Sequence, residues 1–182
     1  MESRFTSFVG GPTGPWKIVS MRAVSGNGMA LASHLDLRDG LTEVEDVTWQ
    51  LRGVASHLRY TNEDERKVLA AIQPALNRPE ARCAVLIPIR KTAAWWLLAQ
   101  DERRAIIEER SRHIAIGMTY LPAVARKLFH ARDLGEPFDF LTWFEFAPQH
   151  AVAFDALLVA LRSSPEWDYV DREVEIRLER KC

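Results

Sequence analysis

Scarcity narrows the reading of this 182-residue chain before any motif does. It holds two cysteines, Cys83 within an apolar run and Cys182 at the end. With no CxxC pair and no cysteine framework, neither a structural zinc nor a disulfide scaffold is expected. Glycine and proline number nine each, far from collagen-like or low-complexity composition. The longest apolar run, AAWWLLA at 93–99, falls well short of the ~20 residues that span a bilayer. Charge of one sign is lacking too: 24 basic and 25 acidic side chains give a net charge of −1. Residues 1–91 hold 12 basic and 10 acidic groups, the rest 12 and 15, so no basic stripe supports a nucleic-acid partner. An acid at position 2 and no apolar h-region speak against a secretory signal, which makes the cytoplasm the expected location.

What is present, 47% hydrophobic and 27% charged residues, suits one globular domain or two small lobes. The apolar residues fall into a pattern written twice. In the first copy, 16–24 and 50–60 read as strands. Asn62 stands as a helix N-cap with Glu65 three residues on, the spacing of a capping box. Val68, Leu69, Ile72 and Leu76 follow at near-helical spacing, and Pro74 and Pro79 end the helix. The almost wholly apolar 83–90 reads as a central strand closing this copy. The second copy has a charged helix over 101–110 and a strand pair, 124–130 and 138–146, around a turn at 135–137. Pro148 opens a helix whose Phe154, Leu157, Leu158 and Leu161 make one apolar face. The last strand alternates, with Val174, Ile176 and Leu178 on one side and Glu173, Glu175, Arg177 and Glu179 on the other. Strand, strand, helix, strand, twice over, predicts an α+β fold. Its two ferredoxin-like lobes, 1–91 and 92–182, place their sheets in a barrel-like core. Residues 25–48 carry no clear pattern.

Few residues stand out chemically. Histidines at 34, 57, 113, 130 and 150 never fall i, i+4, which disfavours a metal centre built from helical histidine pairs. One histidine is enough for a haem iron, because the porphyrin supplies four ligands itself. His113 is the best placed, opening an apolar stretch in which Gly117 lets a flat macrocycle near the backbone. The plainer reading is a half-buried histidine capping carbonyls at a helix C-terminus. Arg126 shares a strand face with Leu128 and His130, where a fixed positive charge would meet an anion. Its plainer reading is a snorkelling or ion-paired edge residue. Glu166, between Pro165 and Trp167, is either a solvated turn acid or an acceptor for a ligating imidazole's N–H.

Larger segments then settle between these readings. The runs 113–126 (HIAIGMTYLPAVAR), 128–130 (LFH) and 139–145 (DFLTWFE) resemble the chlorite dismutases, most of all their short, dimeric branch. The Trp95-Trp96 pair, 51–60 (LRGVASHLRY) and Glu166-Trp167 extend the resemblance over about residues 12–180. It implies a haem b enzyme that converts chlorite to chloride and dioxygen. The haem would sit in the C-terminal lobe, beside a trimmed N-terminal lobe of the same fold without cofactor. By motif, His113 matches the iron ligand, Glu166 the carboxylate on its other nitrogen, and Arg126 the distal arginine that acts on the anion. Gln73 matches a glutamine near that arginine. Trp95, Trp96 and Tyr60 fall among positions that line the pocket and contact propionates. The trimmed lobe implies a homodimer, with no nucleic-acid or membrane partner. Two alternatives share the cofactor class: a coproheme decarboxylase-like enzyme, and a haem carrier or sensor without turnover. The first typically has an uncharged residue at the position of Arg126 and a Tyr-Pro-type motif, whereas this chain has Tyr120-Leu-Pro.

Overall fold

The computed structural model describes residues 4–55, 63–120 and 122–180. Its strands are β1 (Phe5–Gly11), β2 (Trp16–Ser25), β3 (His34–Asp39), β4 (Trp49–Ala55), β5 (Cys83–Lys91), β6 (Val124–His130), β7 (Phe140–Phe146) and β8 (Val170–Glu179). Five α-helices accompany them: α1 (Glu63–Ile72), α2 (Ala93–Leu97), α3 (Gln100–Arg104), α4 (His113–Thr119) and α5 (Ala151–Arg162). The strands close into one antiparallel barrel in the order β1-β3-β2-β8-β5-β7-β6-β4. Within it the first four strands lie as β4-β1-β3-β2 and the last four as β8-β5-β7-β6, the same arrangement twice. None of the described helices is long and apolar enough to cross a membrane.

Alternation explains the two layers of core. Leu86, Leu141, Trp143, Val174, Ile176 and Leu178 point into the barrel, where they meet Phe8, Leu35 and Leu51 from the first half. The intervening residues of β5 and β7, among them Val85, Ile87, Phe144 and Phe146, face outward under α5 and its Phe154, Leu157, Leu158 and Leu161. Burial on both faces is why β5 is apolar from Cys83 to Ile89. Among the described residues the seam between β4 and β6 pairs Val54 with His130 and Ala55 with Phe129. Gly53 permits it, since a Cβ there would stand 2.6 Å from that of Phe129.

The expected pattern needs two corrections. The first half is four strands with no helix among them, because only residues 12–15 separate β1 from β2. β1 and β3 escaped the period-2 reading for different reasons: β1 is buried on both faces past Phe5, and β3 is six residues long. The strand at 83–91, read as closing the first copy, pairs with β7 and β8 and so belongs to the second half's sheet. The charged side of β8 is enclosed in part as well. Glu173 and Glu175 are buried beneath α5, where Arg162 reaches both and Arg22 and Arg177 also pair with Glu175. Burial works to raise the Glu175 carboxyl, but these guanidinium hydrogen bonds outweigh it and hold the pKa at about 2.

Candidate functional site

The second half carries a cavity of about 370 Å³ between the outer side of β5, β6 and β7 and the helices that cover them. α5 fills one end of that sheet surface; the other end is left open.

One wall is built around His113. The helix that begins with α3 widens into a π-helical turn over Ala105–Arg110, and Arg112 then takes a left-handed conformation with φ of 53°. Such a conformation costs a non-glycine residue on the order of 1 kcal/mol and here reverses the chain so that α4 starts at His113. Glu108 Oε2 accepts the N–H of Ile114 at 2.8 Å, satisfying a free amide of that helix start. The one-turn 3₁₀ segment Pro165–Tyr169 delivers Glu166 beneath it. Its backbone N–H donates to Ser111 Oγ at 2.9 Å. Glu166 Oε2 lies 2.6 Å from His113 Nδ1, and Oε1 accepts from Lys91 Nζ at 2.9 Å.

This carboxylate is almost fully enclosed, at 8% side-chain exposure, as is Lys91 at 4%. Burial alone would raise the Glu166 pKa, yet the neighbouring His113 and Lys91 overcome it and hold the carboxyl at about 2. An ionised carboxylate only accepts hydrogen bonds, so Nδ1 carries a proton toward Glu166, and in a neutral imidazole Nε2 is then the nitrogen that offers a lone pair. Trp167 stacks beside the imidazole, with ring centroids 6.3 Å apart and planes 22° apart. Lys91 also lies 4.5 Å from the centroid of the Trp95 ring.

The opposite wall comes from β6. Arg126, Leu128 and His130 line the cavity, as their shared strand face requires. Arg126 is half-buried, and its enclosure lowers the guanidinium pKa against the raising effect of Glu166. Gln73, just past α1, donates from Nε2 to the backbone carbonyl of Arg126 at 2.5 Å. It therefore braces the strand and not the guanidinium. Leu69 of α1 and Phe140, Thr142 and Phe144 of β7 complete the apolar surface.

His113, Glu166, Arg126, Gln73 and Trp95 thus line one cavity. Trp96 does not. It stacks on Phe140 at 5.9 Å, donates to Asp139 Oδ2 at 3.2 Å, and holds the guanidiniums of Arg103 and Arg132 over its ring. Tyr60 lies outside the described residues. Lys91 was missed by the sequence reading, although Val85, Ile87, Ile89 and Lys91 form one alternating row and the lysine ends it. Ser111 and Glu108 gave no signal short of the fold. Among the described lining residues Glu166 is the one carboxylate, against Lys91, Arg126 and Lys127, so the cavity favours an anion.

These donors fit a haem. Among the described residues no three His, Cys, Asp or Glu side chains gather around a common point. A metal held by His113 must therefore bring most of its ligands with it, as a porphyrin does. Trp95 Nε1 is buried in the cavity wall with no hydrogen-bond partner, a donor waiting for an acceptor such as a propionate. A Cβ added to Gly117 would meet nothing within 4 Å, which leaves the helix surface flat there.

Comparison with known proteins agrees with this geometry. A family model described as chlorite dismutase matches residues 29–181. The chain is 55% identical to a dimeric chlorite dismutase from Nitrobacter winogradskyi, whose crystal structure superposes with a TM-score of 0.91 over 96% of this chain and 99% of that one. A chlorite dismutase from Candidatus Nitrospira defluvii, solved with imidazole, is 27% identical, with a TM-score of 0.60 over 80% of this chain and 56% of that one. The curated chlorite dismutase of Ideonella dechloratans is 34% identical over 128 residues, 68% of this chain. The match spans less than half, 42%, of that relative's length. A family model covering most of the chain, together with a relative of the same length and fold, leaves one assignment: the chain belongs to the chlorite dismutase family.

Proposed function

We propose that the protein is a haem b-dependent chlorite dismutase acting as a homodimer. One observation carries the reading: His113, tied through Nδ1 to a buried carboxylate, and Arg126, a fixed cation, line the same apolar cavity. Bound there, haem b would supply the iron at which chlorite is split and dioxygen formed, ClO2⁻ giving Cl⁻ and O2 with no external reductant.

The chain's own residues do the rest. His113 offers Nε2 to the iron. Glu166 takes the Nδ1 proton's hydrogen bond and makes the imidazole a stronger donor, while Lys91 keeps that carboxylate ionised. Arg126, protonated throughout the working pH range, draws the substrate anion in and steadies negative charge as the O–Cl bond breaks. Gln73 fixes the backbone from which Arg126 projects. Trp95 donates to a propionate, and Trp96 steadies the wall from behind through Phe140. The repeated strand order supports two ferredoxin-like lobes. The second holds the haem and opens with β5, ahead of the expected boundary at 91, and the first carries no cofactor. The dimeric state of the Nitrobacter relative supports the homodimer.

The test is an oxygen-electrode trace after chlorite is added to haem-loaded protein. One O2 per chlorite is expected. Full haem occupancy with no oxygen evolved would overturn the enzyme reading and leave a haem-binding protein.

A further inference from the structure

One buried carboxylate meets His113 directly, and a second reaches it through a ring. The 3₁₀ segment Pro165–Tyr169 that delivers Glu166 delivers Trp167 in the next position and runs straight into β8. Trp167 lines the cavity beside the imidazole face, its plane 22° from that of the imidazole, within the range of offset ring packing. Glu173, six residues on in β8, has 0% exposure, and its Oε2 accepts the indole N–H of Trp167 at 2.8 Å. Its Oε1 is held from the far side by Arg162 of α5, from Nε at 2.9 Å and from Nη2 at 2.5 Å. A buried ion pair is a weak source of stability compared with apolar packing. This one gives an oxygen to the back of the ring that flanks His113.

We propose that Glu173 is a positioning residue of the haem site: through Trp167 it fixes the plane of the His113 imidazole and strengthens that ring as a donor to the iron. The inference rests on the reading of His113 as the iron ligand and extends it to a residue one ring removed. The hydrogen bond from Nδ1 to Glu166 fixes one nitrogen of the imidazole but leaves the ring free to turn about that line. A flat side chain against its face removes the freedom, provided that side chain is itself held. Arg162 anchors Glu173, and Glu173 anchors the indole. The same contact acts electrostatically. A charge-assisted hydrogen bond in an enclosed site is short and strong; it draws the indole proton toward the carboxylate and leaves more electron density on the ring that faces His113. Lys91 Nζ, 5.6 Å from the indole centroid, is already engaged by Glu166. The imidazole is thus supported at its edge by Glu166 and at its face by Glu173, and both favour the ferric iron.

Resonance Raman spectra and a spectroelectrochemical titration of the haem-loaded protein test this. Wild type should show an iron–histidine stretch in the ferrous state. Glu173→Gln keeps the shape of the side chain and an acceptor oxygen but removes the charge. It should bind haem fully and lower the iron–histidine frequency. It should also shift the ferric–ferrous equilibrium toward ferrous about tenfold, the low end of what an outer partner of a metal ligand commands, equal to 59 mV for one electron. Trp167→Phe removes the indole N–H and leaves the pair between Glu173 and Arg162 in place, so it reads the same link even where the glutamine variant folds poorly. Both signals should move in the same direction. The double variant should match the larger single effect, because two changes on one path do not add. An unchanged band and potential in both single variants, whatever their stability to urea, would make Glu173 a structural ion pair and overturn the proposal. Full additivity in the double variant overturns the route through Trp167. A wild-type ferrous spectrum with no iron–histidine band overturns His113 as the ligand, and the proposal with it.

Discussion

Replacing Lys91 with methionine removes one of the two groups that hold the buried Glu166 charge, at nearly constant volume. The remaining partner, His113, contacts one carboxylate oxygen at 2.6 Å, while the other oxygen, now 2.9 Å from nothing polar, stays enclosed. Breaking a buried pair from one side typically costs about 3–5 kcal/mol, because the orphaned charge keeps its desolvation cost. For a chain of this length that is a fall in Tm of roughly 10 °C. The pH dependence gives an independent check. Glu166 titrates at about 2 in the folded protein against an ordinary 4.5, so the folded pKa is the lower one. Its contribution of about 3 kcal/mol is present above pH 4.5 and lost as pH falls toward 2. In Lys91→Met the folded pKa moves back up, and stability should fall less steeply across that window. Adding Glu166→Gln to Lys91→Met should recover part of the loss, since the uncompensated charge is then gone. The assay is urea unfolding at fixed haem loading for wild type, both single variants and the double, at pH 7 and pH 4. A cost under about 1 kcal/mol at pH 7, or strictly additive single losses, would refute the view that this is one coupled, desolvated pair.

Other perturbations probe the rest of the site. His113→Ala should lose most bound haem or change its ferric spectrum, read by absorbance against protein concentration; full occupancy with the wild-type spectrum would remove His113 as the iron ligand. Arg126→Ala should keep haem but slow oxygen release tens- to about a thousand-fold, the worth of one preorganised charge. Escape of hypochlorite, scored with monochlorodimedone, should rise, and an unchanged rate and trap signal would reduce Arg126 to an edge residue. Glu65→Gln breaks the two-pronged ion pair to Arg104, at 2.9 and 3.0 Å, that ties α1 to α3. A partly buried pair of this kind is worth about 1 kcal/mol, so amide exchange across α1 should quicken about fivefold while β6 is unaffected.

How legible each part was depended on whether its pattern had one cause. β6 and β8 alternate in residue type and α5 gathers one apolar row, so period 2 or 3.6 stood out in the letters, whereas β7 is buried at all seven positions and stood out as an aromatic-rich run after a turn. β1 reads as FTSFVGG and is buried on both sides past its first residue, so no alternation survives. The pairing of β5 with β7 and β8 is set by contacts more than 50 residues apart in the chain, and no local pattern records it. The site divides the same way. The lone histidine, the arginine in its strand row and the Pro-flanked glutamate were marked by local context and by resemblance to a family. Lys91 was not, because a lysine after eight strand residues looks like a strand end. Only the fold brings it to Glu166, 75 residues away.

The repeated strand order raises the question of why the cavity holding His113 and Arg126 stands over the second half's sheet. A sheet by itself offers a single surface, and a pocket for a flat ligand needs a second wall at a distance. In the first half, direct links between strands leave no helix to make that wall, and residues 40–48 lie close against β1 and β4, with Ser7 Oγ donating to the carbonyl of Gly40 and Gln50 bonded at both Thr42 and Val44. In the second half, two long connections carry α2 through α4 and then α5 over the same kind of surface. α5 packs tightly, its Phe154 stacked on Phe146 at 4.6 Å. α4, displaced by the π-turn and the left-handed Arg112, does not close on β6 and β7, and the gap it leaves is the cavity. The two sheets are built alike, so the site follows from the connections. Straightening that path, by restoring regular α-helix between residues 104 and 113, would rotate His113 off the cavity while leaving every strand in place.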